Sequence, residues 1–574
     1  MAMKGPIFML KAGRRSNMFH LWGVTRNFMK GKNLFLASLA AGVFALFALT
    51  SLAVSADASE AVTYKKQETG LYADVFDQII YYEGTNFLHL DRLYRFLFRK
   101  KVRSANINLF DEVPDSTFFT NRHGRKRMSL KELKRGPQVT EGPDLKGDLV
   151  IISGKFEGLH PGFFIQDKRG DKYLLKFDPI DYLELVTSAE VITSRFYYAI
   201  GYSVPQYTVS VFPPEKLVPA PGAKVYDDTG FKRDLTPERL EEYLLFIPQD
   251  DQGNFRASAS KFLDGVNKGS LSFNGRRKKD PNDPVDHRRR REIRALYVFA
   301  SWLNNYDVRE SNTLDMLVEE NGEKVLKHYL IDFNATLGGG SMKPMFVHEH
   351  MVDYGETSKA FLAHGWWEKP WQKRWREVDE RIPKSPAVGY FDNRHFDPGK
   401  FKIQLPYYAW KDLTRADGFW AAKIIMNFSD QDIRTIVESG EYTSPRDAEE
   451  ISRVLIERRD IVGRYWFDRA NPLDGFDVLA NQLVFEDLAV KYGFHPTSET
   501  TYLIDVVGKN GNKGEKIALL TSQETSIPID SKWFSTHEKV DLLIRTIRGT
   551  SDESGPYVLV ELSSQGVTGI KHED

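Results

Sequence analysis

From Asp148 onward the apolar and polar positions fall into short runs that suit β-strands: Asp148-Leu-Val-Ile-Ile-Ser153, Gly162-Phe-Phe-Ile-Gln166 and Lys172-Tyr-Leu-Leu-Lys-Phe177. Asp167-Lys-Arg-Gly-Asp171, between the second and third, has the composition of a hairpin turn. A helical period follows over about Tyr182–Ile200, with Gly201 placed to end it. Val204–Phe212 and Asn254–Phe262 read as further strands. The stretch between them, from Pro213 to about Gly253, is long, charged and Pro-bearing, and reads as an insertion. The period turns helical again from Asp286 through Trp302. A hairpin comes next, Thr313–Val318 and Val325–Phe333, around Glu320-Asn-Gly-Glu323.

Residues 340–475 are rich in Trp, Tyr and Pro and then helical, closing with helices near Asp430–Ser439 and Pro445–Phe467. Strand patterns return at Thr501–Val507, Lys516–Thr521, Val540–Ile547 and Tyr557–Leu562, as expected of a small antiparallel sandwich. Before 148 the chain reads as a lead-in. Amphipathic stretches lie near Tyr72–Tyr82 and Leu88–Phe98, and Glu112–Arg122 is turn-rich. A short helix is capped by Ser129 with Glu132 three residues on. The expected divisions are a leader (1–58), a lead-in (59–147), a strand-rich portion (148–265), a helical portion (266–475) and a β domain (480–574). At 574 residues the chain exceeds what one core supports.

Charge changes this picture only at the N-terminus. The chain carries 79 basic and 79 acidic side chains, but residues 1–56 hold seven of the basic ones and no acid. The remainder is 72 against 79, a net of −7, so no overall field draws it to nucleic acid. Lys30 and Lys32 precede an uncharged apolar run, Leu34–Val54, and small residues follow. This is the layout of a signal peptide cut after Ala56 or Ala58. The same run is long enough to stay as a membrane anchor. Either way the bulk is expected outside, in a periplasm or cell envelope, with membrane association through residues 34–54. There is no Cys, hence no disulfide and no thiolate metal site. An exported chain of this length without disulfides has a bacterial rather than eukaryotic character.

Dispersed polar residues suggest the chemistry. Lys176 lies near a strand end, Glu190 fourteen residues on in the next helix, Asp307 and Asn312 five apart in a loop, and Asp332 after the hairpin. Phosphoryl transfer needs a cation on the phosphates, an acceptor for the attacking hydroxyl's proton and hard oxygen ligands for Mg²⁺. A carboxylate beside Lys176 would keep it charged; Glu190 is the expected partner and Glu184 the fallback. Asn312 and Asp332 suit Mg²⁺. Gly154, Gly158 and Gly162 stand four apart between two strands, where backbone can approach phosphate, although a plain hairpin loop is the better reading.

Residues 148–340 resemble the atypical kinase superfamily that includes HipA-type toxin kinases, phosphoinositide kinases and secretory-pathway kinases. The resemblance rests on Lys176, Glu190, Asp307-x4-Asn312 and Asp332-Phe333. The sequence departs from the kinase pattern at Asn305 and Tyr306, where His-Arg is usual, and at Asn334, where Gly is usual. The resemblance implies an α+β fold: a bilobal protein-kinase-like domain with a small β-rich lobe and a helical lobe, followed by the C-terminal antiparallel β domain. It implies Lys176 as the phosphate-binding lysine, Glu190 as its partner, Asp307 as catalytic base, and Asn312 and Asp332 as metal ligands. ATP and Mg²⁺ are the implied cofactors, and an unknown protein or small molecule the phosphoacceptor. The chain also resembles exported bacterial proteins, a likeness that brings no activity with it. A non-catalytic scaffold that kept the kinase framework is the rival expectation.

Three other features are weaker. Arg288–Arg291 with Arg294 reads as a solvated helix start rather than an anion site. His348-Glu-His350 lacks a third metal ligand. Trp366, Trp367, Trp371 and Trp375 read as packing between lobes, with a stacked sugar or lipid as the sharper alternative.

Overall fold

The alternation read at 149–177 builds the centre of a seven-stranded sheet in the computed structural model. The structure describes residues 66, 76, 102–154, 162–226, 231–340, 343–345, 354–369, 385–511, 513–549 and 555–574, which belong to one unit, Thr63–Asp574. The leader, the stretches near Tyr72–Tyr82 and Leu88–Phe98 apart from Phe76, Gly158, His348–His350, Trp371 and Trp375 lie outside the described residues.

In chain order the elements that matter are α1 (Leu130–Arg135), β1 (Leu149–Gly154), β2 (Gly162–Gln166), β3 (Lys172–Phe177), α2 (Leu185–Ile200), β4 (Tyr207–Phe212), β5 (Leu217–Tyr226), β6 (Lys232–Asp234), α3 (Pro237–Leu244) and β7 (Phe255–Lys261). The sheet runs β4-β7-β3-β2-β1-β5-β6. Tyr173, Leu175 and Phe177 alternate into its own core with Leu149, Ile151, Phe163 and Phe255. Lys176 takes the opposite face, where α2 packs. Nearly every side chain of α2 is buried, including polar ones such as Glu190 and Arg195 that find partners in the core. Asp178 caps it, accepting from the backbone N–H of Glu184, Val186 and Thr187 at 2.8–2.9 Å.

The supposed insertion is part of this sheet. Leu217–Tyr226 pairs in parallel with β1, and Lys232–Asp234 pairs with it in turn. Pro219 and Pro221 hide the strand in the sequence. Pro219 lies opposite Ile151, next to a register shift in β1, where the ladder tolerates a missing N–H.

The next elements are β8 (Val266–Asn267), α4 (Arg291–Leu303), β9 (Thr313–Glu320), β10 (Glu323–Leu330), α5 (Tyr354–Leu362), α6 (Arg415–Met426), α7 (Asp430–Glu438) and α8 (Pro445–Phe467). Asn321 and Gly322, with φ of 55° and 81°, make the β9–β10 turn. The helices share one large core that also takes Val113, Phe118, Phe119 and Leu133 from the lead-in. Ser129 caps α1 with Glu132 reciprocating, as read from the sequence.

The arginine run is not a solvated helix start. Arg290, Arg291 and Arg294 are buried. Asp417 accepts from Arg291 and Arg294 at 3.0 Å each and from Ser104 at 2.8 Å. Asp111 pairs with Arg291 at 2.7 Å. Its carboxyl is held far below the ordinary range: burial opposes the charge, but Arg291, His572 and Arg103 outweigh it. Acids distant in sequence make this burial affordable, which no helical period reveals.

The C-terminal elements are β11 (Leu473–Leu479), β12 (Gln482–Asp487), β13 (Thr500–Asn510), β14 (Lys513–Ser522), β15 (Ser526–Pro528), β16 (Lys539–Arg548), β17 (Tyr557–Ser563) and β18 (Gly566–His572). They form two antiparallel sheets, β11-β12-β15 and β14-β13-β16-β17-β18. Leu473, Leu483 and Ile527 of one share a core with Ile504, Leu542 and Val560 of the other. The chain is thus mixed α+β, with a large sheet, a helical body and separate small antiparallel sheets at its end. No described helix is long and apolar enough to cross a membrane.

Candidate phosphate and metal site

Four segments bring the predicted residues together. Strand pairing sets Lys176 opposite Gly162 on one side and Ser258 on the other. Helix α2 lays Glu190 against it. The Lys176 ammonium donates to Glu190 Oε1 and, at 2.7 Å, to Asp332 Oδ1. The Ser258 hydroxyl donates to the other Glu190 oxygen. Lys176 and Glu190 are buried, whereas the Asp332 side chain is 26% exposed. Asp332 therefore marks the open side of the cluster.

Asp332 follows β10 with φ of 61°, a left-handed conformation that is uncommon outside glycine and that Asp tolerates better than most. Its backbone N–H donates to the Tyr207 hydroxyl at 3.2 Å. Phe333 is stacked on Tyr197, with ring centroids 5.4 Å apart, which anchors the segment in the core. The preceding N–H, on Ile331, donates to the Asn312 carbonyl at 3.0 Å, so this segment and the Asp307–Asn312 loop are tied together. Within that loop the Asn312 amide donates to the Asp307 carbonyl and carboxylate at 2.9 and 3.0 Å. Arg309 bridges both residues, pairing with Asp307 at 3.0 Å and donating to Asn312 Oδ1 at 3.3 Å.

The electrostatics follow from this packing. Burial works against charge on Lys176, but Asp332 and Glu190 more than reverse it, and its pKa is held above the ordinary lysine value. Burial pushes the Asp307 carboxyl up to about 6, and the nearby Asp332 charge adds to this while Arg309, Asn312 and Lys176 pull the other way. Burial raises the Tyr207 phenol, with Glu190 adding to it.

One sequence expectation needs correcting. Glu184 is not a reserve partner for Lys176: its carboxylate accepts from the Thr443 backbone N–H at 3.0 Å. Gly154 is closely packed, since a Cβ there would lie 2.7 Å from Val225 Cγ1 on β5. Gly162 opens β2 opposite Lys176, and the loop between them lies outside the described residues.

Three contributors were not read from the sequence. Arg309, two residues after Asp307, was visible as a basic residue inside the loop. Ser258 and Tyr207 carried no signal, because only strand pairing and tertiary packing bring them to the cluster.

The donor set fits a metal–phosphate ligand. Asp332 and Asn312 offer hard oxygens, and Lys176 and Arg309 offer cations. Among the described residues no three His, Asp or Glu side chains converge as a metal cage. Mg²⁺ held by one or two protein oxygens plus substrate phosphates needs none. A groove of about 680 Å³ lies beside Phe396, Arg464, Tyr465 and Phe494, away from these residues.

No protein-family model matches the chain, and no curated protein matches it. Among solved structures the chain is similar to the Helicobacter pylori proinflammatory kinase CtkA, at 12% identity over 56% of this chain and 98% of that one, with a TM-score of 0.28. It is also similar to the Golgi casein kinase, at 9% identity over 72% and 94% of the two chains and a TM-score of 0.27. The same kinase with Mn/ADP bound gives 10% identity over 71% and 93%, again with a TM-score of 0.27. At these identities and scores no residue role passes from those proteins to this chain.

Proposed function

We propose that the chain is an exported, kinase-like phosphotransferase that uses ATP and Mg²⁺ on a substrate of the bacterial envelope. One observation carries the reading: a buried lysine ion-paired at once with a helix glutamate and with the aspartate that follows the hairpin. Residues 14 and 156 positions away from Lys176 meet at its ammonium.

In this reading Lys176 and Arg309 bind and orient the phosphates, and Glu190 holds Lys176 in place. Asn312 and Asp332 would hold Mg²⁺, which when bound neutralises charge on the phosphates. Asp307 accepts the proton of the attacking hydroxyl. A carboxyl with its pKa near 6 is ionised at neutral pH yet basic enough to take that proton.

Melting with ATP and Mg²⁺ and turnover of ATP to ADP test the proposal. A ligand bound only by the folded state raises the melting temperature. Asp332→Ala should remove turnover while leaving the ligand-free melt close to that of the parent. Turnover retained in this variant would contradict the assignment.

A second reading, a non-catalytic scaffold, draws on Arg309, whose contacts occupy both Asp307 and Asn312. The scarcity of ATP outside the inner membrane favours it too. No melting shift at millimolar nucleotide would select the scaffold.

A further inference from the structure

Tyr207 opens β4 with its ring buried in the large core and its hydroxyl against Asp332. A buried phenol oxygen is kept where it meets a polar partner. Here the partner is a backbone N–H 125 positions away, that of Asp332, at 3.2 Å. The bond falls on the residue whose carboxylate reaches Lys176 at 2.7 Å and whose φ is 61°. Holding the N–H fixes the peptide plane from which the Asp332 side chain projects.

The tyrosine is itself held from several sides. Its ring meets Phe333 edge-on, with centroids 5.7 Å apart. Its carbonyl accepts from Gln138 Nε2 and, at 3.2 Å, from Arg195. Arg195 also donates to the Lys134 carbonyl at 2.7 Å. The Gln206 side-chain oxygen accepts from the Val139 and Thr140 N–H at 2.9 and 3.3 Å. The stretch 134–140, running on from α1, therefore braces the start of β4, and the hydroxyl stands at a fixed point. Phenylalanine would fill the same space in this core; what it would lack is the acceptor for Asp332.

We propose that Tyr207 is a positioning residue, whose hydroxyl holds the Asp332 backbone so that the Asp332 carboxylate stands where a metal ion can take it up. Tyr207 touches neither nucleotide nor acceptor in this scheme and acts through Asp332. Asp332 as a metal ligand rests on the phosphotransferase reading; the hold on its backbone does not.

The test compares the full chain with Tyr207→Phe, which keeps the ring and removes the acceptor. Hydrogen exchange in the ligand-free chain reads the backbone directly. The Asp332 amide should exchange about tenfold faster in the variant, the effect of leaving a buried donor unpaired, while the β7 amides keep their rates. Mn²⁺ binding in the presence of ADP, followed by the spin resonance of free Mn²⁺, reads the metal site. Tyr207→Phe should weaken it severalfold, because the metal-competent position of Asp332 is then populated for only part of the time. The affinity for ADP without metal should not change. An unchanged Asp332 exchange rate would overturn the proposal, as would faster exchange with Mn²⁺ affinity intact. Faster exchange shared by the β7 amides would overturn it too, by reducing Tyr207 to a packing residue. Faster exchange at Asp332 alone, in a chain whose parent form binds no Mn²⁺ with ADP, would keep Tyr207 as the hold on Asp332 and overturn the phosphotransferase reading instead.

Discussion

Asp307→Asn separates the two consequences of burying a carboxyl at this site. Burial raises Asp307 from its ordinary 3.8 to about 6, with Asp332 adding and Arg309, Asn312 and Lys176 opposing. Below 3.8 the group is neutral in both folded and unfolded chains and contributes nothing. As pH rises from 3.8 to 6 the unfolded chain ionises first, so stability falls; above 6 the full penalty remains. The gap corresponds to about 3 kcal/mol at ~1.36 kcal/mol per pH unit. The pull of Arg309 is already contained in it, so this is a ceiling on what the amide regains. For a large chain about 2 °C accompanies each kcal/mol, giving a rise of about 2–6 °C at pH 8 and under about 1 °C at pH 4. The assay is a thermal melt of parent and variant at both pH values, with chelator present so that no metal contributes. ATP turnover measured on the same samples should be lost. A variant that melts below the parent at pH 8 would refute the argument, because it would mean that the folded site favours the ionised Asp307.

Two further substitutions probe the frame around the site. Lys176→Met leaves Glu190 buried without its cation and should cost about 3 kcal/mol, the lower end for a broken buried pair, because Ser258 still bonds Glu190 and Asp332 is partly open. It should also erase any melting shift with ATP; an unchanged melt with the shift intact would remove Lys176 from the site. Gly154→Ala drives a Cβ to within 2.7 Å of Val225 and should cost about 1–2 kcal/mol in urea unfolding. A stable variant with weakened nucleotide binding would instead support the phosphate role for this glycine.

Much of the local structure was legible in the sequence because it depends on short-range rules. The Asn-Gly turn, the Ser129–Glu132 cap and the helix over 445–467 follow from backbone conformation and period alone. β18 was missed because Gly566 and Gly569 dilute its alternation, and its place beside β17 comes from pairing rather than propensity.

The sequence by itself determined which groups are available: one strand lysine, one helix glutamate, a loop aspartate and asparagine, and an aspartate after a hairpin, in fixed order along the chain. Only the tertiary structure decided which of them meet. It gave Lys176 both Glu190 and Asp332, diverted Glu184 to Thr443, brought in Ser258 and Tyr207, and buried an arginine run that the sequence alone left in solvent. The reason is physical. Periodicity records which face of an element avoids water, whereas partners for a buried charge come from strand register and helix packing across more than a hundred residues.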